Sequence, residues 1–181
     1  MALSDRQLDE HISDRDLIAI ARADFDSNKV QGFPLAYSDQ LLLLQYVHDF
    51  YLDGLLLVRR CDITDHYCRQ TDKFQRNLLE AEHKLKSGVF RNDHVIENFT
   101  SFIQGLGSQQ IVIIENESRD NTRFYIGLIA SVDTESVQLQ EFSGTGNWEH
   151  NTTCIPMDEI TCCQFDTNYI NFYSRHFSRT Q

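Results

Sequence analysis

The feature that most constrains this chain is that it repeats. An apolar strand, a glycine, an alternating pair of strands and a closing acid-Ile-Thr triplet occur twice, in the same order. In the first copy these are residues 17–20, 32–37, 41–47 and Asp62-Ile63-Thr64; in the second they are residues 111–114, 127–132, 137–142 and Glu159-Ile160-Thr161. Gly32 recurs 95 positions on as Gly127, and Ile63 recurs 97 positions on as Ile160. The difference is a two-residue insertion, which falls in the turn containing Gly144 and Gly146.

Each copy reads as about five short strands. Alternation such as Gly127-Leu128-Ile129-Ala130-Ser131-Val132 puts one residue in two on a common face, so one face is apolar and the other wet. Ser38-Asp39 and Asp133-Thr134 supply turn chemistry, and Asp53-Gly54 offers a positive φ for a tight turn. Strands this short gain most by curling until the apolar face closes on itself, which predicts a small barrel. Helical spacing follows each copy, at Phe74, Leu78 and Leu85 and again at Tyr169, Tyr173 and Phe177. A further helix is predicted from Val95, Ile96, Phe99, Phe102, Ile103 and Leu106, capped by Asn92 or Asp93 and stopped at Gly105 or Gly107. Ser4 and Gln7 have reciprocal capping spacing, with Leu8 and Ile12 as a short stripe. The expected fold is mainly β with helices: two repeated small antiparallel barrels, each followed by a helix, joined by a helical linker. Residues 1–88 would hold the first barrel, 89–107 the linker and 108–181 the second barrel.

The glycine-bearing strand, the meander and the final Asp-Ile-Thr or Glu-Ile-Thr strand resemble the small SH3-like and Sm-like barrels. The resemblance covers residues 17–74 and 111–169, and it is shared with uncharacterised bacterial proteins that end in an aromatic-anchored helix. It implies a fold. Sm proteins that bind RNA carry an Arg-Gly pair before the last strand, whereas this chain has Arg59-Arg60-Cys61 and Cys154-Ile155-Pro156. That departure speaks against RNA.

Charge points the same way. The formal net charge is -11, with 16 Lys and Arg against 27 Asp and Glu, and such a chain repels phosphate at long range. Nucleic acid is a disfavoured partner and a basic protein a favoured one. The N-terminal residues lack a positive region followed by an apolar stretch, and the runs 41–44 and 55–58 are far shorter than the ~20 residues of a membrane helix. A cytoplasmic chain without a membrane partner is expected. Its five cysteines are then free thiols, and the glycosylation patterns at Asn98, Asn116 and Asn151 are coincidental.

Candidate chemistry is sparse. Cys61, Asp62, Asp65, His66 and Cys68 carry zinc-ligand types, but on one closing strand they point to opposite faces and cannot converge. Cys162 and Cys163 likewise diverge, and pairing either with His150 or His176 as a base is not implied by the spacing. Asp158 and Glu159 read as turn residues, with Asp62 and Glu159 accepting turn amides. No phosphate-binding glycine loop, nucleophile elbow or His-Glu-x-x-His pattern occurs. No catalytic residue, metal or cofactor is therefore assigned. Phe50, Tyr51 and Leu52 in one tip, and Asn147 and Trp148 in the other, are the candidate partner-binding residues, since tip aromatics anchor partners. The expected function is a non-enzymatic protein-interaction or regulatory protein, with homo-oligomers allowed. The alternatives are an immunity protein that neutralises a basic toxin, an Sm-like nucleic-acid binder through Arg59, Arg60 and Arg69, and a cysteine- or histidine-dependent enzyme.

Overall fold

A computed structural model describes residues 3–25, 29–117 and 122–180. They form ten strands in one antiparallel sheet and four α-helices. The order along the chain is α1 (Asp5–Asp14), β1 (Ile18–Ala21), β2 (Lys29–Tyr37), β3 (Leu41–His48), β4 (Tyr51–Arg59), β5 (Asp65–Tyr67) and α2 (Gln70–Ala81). Then come α3 (Phe99–Leu106), β6 (Ile111–Asn116), β7 (Arg123–Val132), β8 (Ser136–Glu141), β9 (Thr153–Pro156), β10 (Cys162–Phe165) and α4 (Asn168–Thr180).

Across the sheet the strands run β5-β1-β2-β3-β4-β10-β6-β7-β8-β9. The second five follow the order of the first five, each number raised by five. Detail repeats as well. The ladder slips between Pro34 and Ala36 in β2 and at the matching place, between Ile129 and Ser131, in β7. Ser38 Oγ accepts the amides of Gln40 and Leu41, as Asp133 Oδ1 accepts those of Glu135 and Ser136. Thr64 and Thr161 each donate both the amide and the hydroxyl to one carbonyl, of Ala21 and Glu115 respectively, and each hydroxyl accepts the amide two residues beyond that carbonyl. A β-branched hydroxyl at the end of the acid-Ile-Thr triplet thus pins the start of the last strand to the end of the first, twice.

The expected closure does not occur: the sheet is open. β10 occupies the outer edge of β4, so the backbone groups that closure would have satisfied are paired by the other half of the chain. Apolar residues of both halves accordingly share one core, with Leu41, Leu43 and Leu57 beside Phe102, Val112, Ile129, Val137 and Phe165. A second cluster joins Leu8 of α1 to Ile18, Ile20, Leu42, Leu44, Leu56 and Val58.

Helices cover the remaining faces, but not through all the expected residues. α1 has the predicted Ser4–Gln7 capping box, with Leu8 as its buried anchor. In α2 the anchor is Leu79, against Leu17, Phe33 and Val47, while Phe74 and Leu78 face solvent. In α4 Ile170 and Phe177 pack on Ile111, Ile113 and Ile126, and Tyr169 is exposed. α3 starts later than expected, capped by Asn98 and ending at Gly107 with φ 81°; Val95 lies outside it and is exposed. The tight turn between β3 and β4 is Asp49-Phe50, both at positive φ, and not Asp53-Gly54, which lies inside β4.

Candidate functional site

The junction between the halves is four residue pairs wide. Val58, Leu57, Leu56 and Leu55 of β4 face Cys162, Cys163, Gln164 and Phe165 of β10. An all-apolar run on β4 suits a strand buried on both faces, and pairing continues on the far side of β10 through β6. Two residues of β4 secure the end of the junction. Asp53 Oδ1 accepts the amide of Asn168 at 2.7 Å and so caps α4 from the opposite half. Gly54, at φ 73°, leaves room for the backbone of Asp166 and Thr167; a Cβ there would lie 2.5 Å from the Thr167 nitrogen.

A buried ion pair locks the same junction from the side. Arg22 donates to both carboxylate oxygens of Glu117, at 2.5 and 2.8 Å, with side-chain exposures of only 6% and 12%. Thr161 Oγ1 lies 2.8 Å from Glu117 Oε2, and Gln164 donates to Glu115 at 2.6 Å. Burial, followed by the negative charge of Glu117, raises the Glu115 carboxyl above its ordinary range. Burial likewise raises the thiol of Cys162 well above its ordinary value and that of Cys163 to about 12. The two sulfurs belong to different core clusters, so they diverge as alternation requires, and neither is an accessible nucleophile.

The edges of the sheet are β5 and β9. Among the described residues each pairs on one side only: β5 with β1, and β9 with β8. Within the strand order β9 stands where β4 stands in the first half, and β5 stands where β10 stands in the second. The Met157 amide donates to Glu135 O, as that of Arg60 does to Gln40 O, so by strand alternation residues 153 and 155 turn their backbone toward β8 while 152, 154 and 156 face outward. Pro156, which has no donor to lose, sits on the outward side.

The tip residues lie near the helices and form no common cavity among those described. Phe50 and Tyr51 are exposed, and Leu52 is half-buried. Phe50 lines a shallow cavity with Leu78 and Leu79 of α2, and Tyr51 another with Asn168 and Asn171 of α4. Trp148 folds back onto Phe177 and Phe142, with ring centroids 4.3 and 5.4 Å away, and Asn147 closes its own turn through Ser143 and Thr145.

The basic cluster is engaged internally. Arg59 bonds Asp62 and the Asp158 carbonyl, Arg60 bonds the Ser38 and Leu3 carbonyls and Asp5, and Arg69 lies over the Tyr67 ring. Asp62 therefore holds Arg59, and Glu159 holds the Asn116 amide, where turn amides were expected. A cavity of about 520 Å³ opens beside Arg59, Cys61, Met157 and Asp158 at the mouth of the junction. Cys61 lies in a short 3-10 turn and not on a strand, apart from Cys68. Cys68 instead meets His11 and Asp16, residues more than fifty positions upstream that spacing could not bring to it.

No protein-family model, curated protein or solved structure matches the chain.

Proposed function

We propose that the chain is a non-enzymatic interaction protein built from two copies of one Sm-like β unit, and that it works by pairing strand edges with a second copy of itself. The observation that carries this reading is the β4–β10 junction. The chain already joins the fourth strand of one unit to the fifth strand of the other, and it leaves a fourth strand, β9, and a fifth strand, β5, at opposite edges. Carrying the register of the junction over by the repeat offset sets Ile155 against Asp65, Cys154 against His66, Thr153 against Tyr67 and Thr152 against Cys68. Such a contact is head-to-tail, and it yields a ring or a filament according to whether the rotation closes.

The side chains at these edges are more polar than Leu55 to Val58, which makes association through them reversible. Pro156 limits the new ladder to four pairs, the width of the internal junction.

Analytical ultracentrifugation of the full chain over a wide concentration range tests this. Wild type should populate larger species as concentration rises. Cys154→Pro removes an outward-facing amide without touching the bonds to β8, and should hold the protein as a folded monomer. Wild type that stays monomeric throughout, or Cys154→Pro that associates equally well, would overturn the proposal.

A further inference from the structure

His11, Asp16 and Cys68 bring a nitrogen, an oxygen and a sulfur ligand together from three separate segments: the last turn of α1, the link into β1, and the link from β5 into α2. Their ligand atoms all lie within 4.8 Å of one another, and His11 Nδ1 is 2.9 Å from Asp16 Oδ2. All three residues are half-buried, so the cluster is sheltered from bulk water yet open to an entering ion. Tetrahedral zinc, with ligands at 2.0–2.3 Å, holds its ligand atoms about 3.3–3.6 Å apart. The present spacings, from 2.9 Å between His11 and Asp16 up to 4.8 Å, bracket that value. The His66 ring packs edge-on against His11 with centroids 6.1 Å apart, and the Gln7 amide lies 3.3 Å from His66 Nε2, so the imidazole of His11 is backed by a fixed wall.

We propose that His11, Asp16 and Cys68 form a binding site for one zinc-class divalent ion, with water completing the coordination. The donor chemistry selects the metal: a thiolate and an imidazole favour zinc or cobalt, whereas magnesium and calcium require oxygen. A bound ion ties α1 to the end of the edge strand β5 and so fixes the N-terminal helix on the sheet. Binding replaces the Cys68 thiol proton with the metal, and that proton passes to buffer.

Cobalt(II) titration into the full-length, EDTA-treated and reduced protein provides the test. One equivalent should bring up a thiolate-to-cobalt charge-transfer band with tetrahedral visible absorption, both displaced by zinc. Cys68→Ser should abolish the band, and His11→Gln and Asp16→Asn should each weaken binding at least tenfold. Cys61→Ser should leave it unchanged. A second readout needs no variant: zinc should protect Cys68 from alkylation in wild type while the exposed Cys61 reacts as before. Absence of a charge-transfer band, a band that survives Cys68→Ser, or equal alkylation of Cys68 with and without zinc would overturn the proposal.

Discussion

Glu117→Leu should be among the most damaging single substitutions in the chain, because it strands the Arg22 guanidinium in the interior. Arg22 is 6% exposed at its side chain, and its two terminal nitrogens both bond Glu117. Its Nε has no partner among the described residues, so the carboxylate of Glu117 is the principal compensation for a buried charge. Removing one member of such a pair costs about 3–5 kcal/mol. For a chain of this length each kcal/mol moves Tm by ~2–4 °C, which gives a fall of about 6–20 °C. Arg22→Met should be comparably harmful, since it leaves Glu115 and Glu117 facing each other without the cation. The double variant Arg22→Met/Glu117→Leu removes both charges and fills the space with apolar atoms, so it should lose less than Glu117→Leu alone. Urea denaturation followed by circular dichroism, run on all four proteins, yields the coupling energy, expected at about 2 kcal/mol or more. Single variants within ~0.5 kcal/mol of wild type, or a double variant equal to the sum of the singles, would refute the reasoning.

Two further substitutions probe the junction. Gly54→Ala forces a side chain into a positive φ and onto the Thr167 amide, and should destabilise the protein by about 2–5 kcal/mol in urea melts through the combined backbone strain and overpacking. Glu115→Gln tests the raised carboxyl. Its folded pKa lies above the unfolded value, so the folded state binds the proton more tightly and stability falls as pH rises from ~4.5 through the folded pKa. The variant should flatten that decline while keeping a hydrogen bond to Gln164, and an unchanged pH profile of Tm would count against it.

The local features of the fold were readable because short-range chemistry dictates them. Ser4 and Gln7 cap α1, and Ser38 and Asp133 build matching turns, all through groups two or three residues from their partners, whereas Thr64 and Thr161 reach carbonyls more than forty positions upstream and their pinning role was not legible in the triplet. Helix faces were harder to read. Phe74 and Leu78 have helical spacing, yet Leu79 is the residue that packs, since the docking angle of α2 selects the stripe. Asp53-Gly54 has the composition of a turn but serves a contact between halves: one residue caps α4 and the other makes room for its approach.

The amino-acid order by itself determined that one antiparallel unit is present twice, since periodicity, turn chemistry and the acid-Ile-Thr triplet are properties of neighbouring residues. Only the tertiary structure decided that the units merge into one open sheet, that β5 and β9 are its edges, and that Cys68 meets His11 and Asp16 rather than Cys61. The physical reason is that strand edges pair through backbone amides and carbonyls, which every residue but proline carries alike. Which edge meets which is set by how the apolar faces pack together, and no local pattern of side chains encodes it.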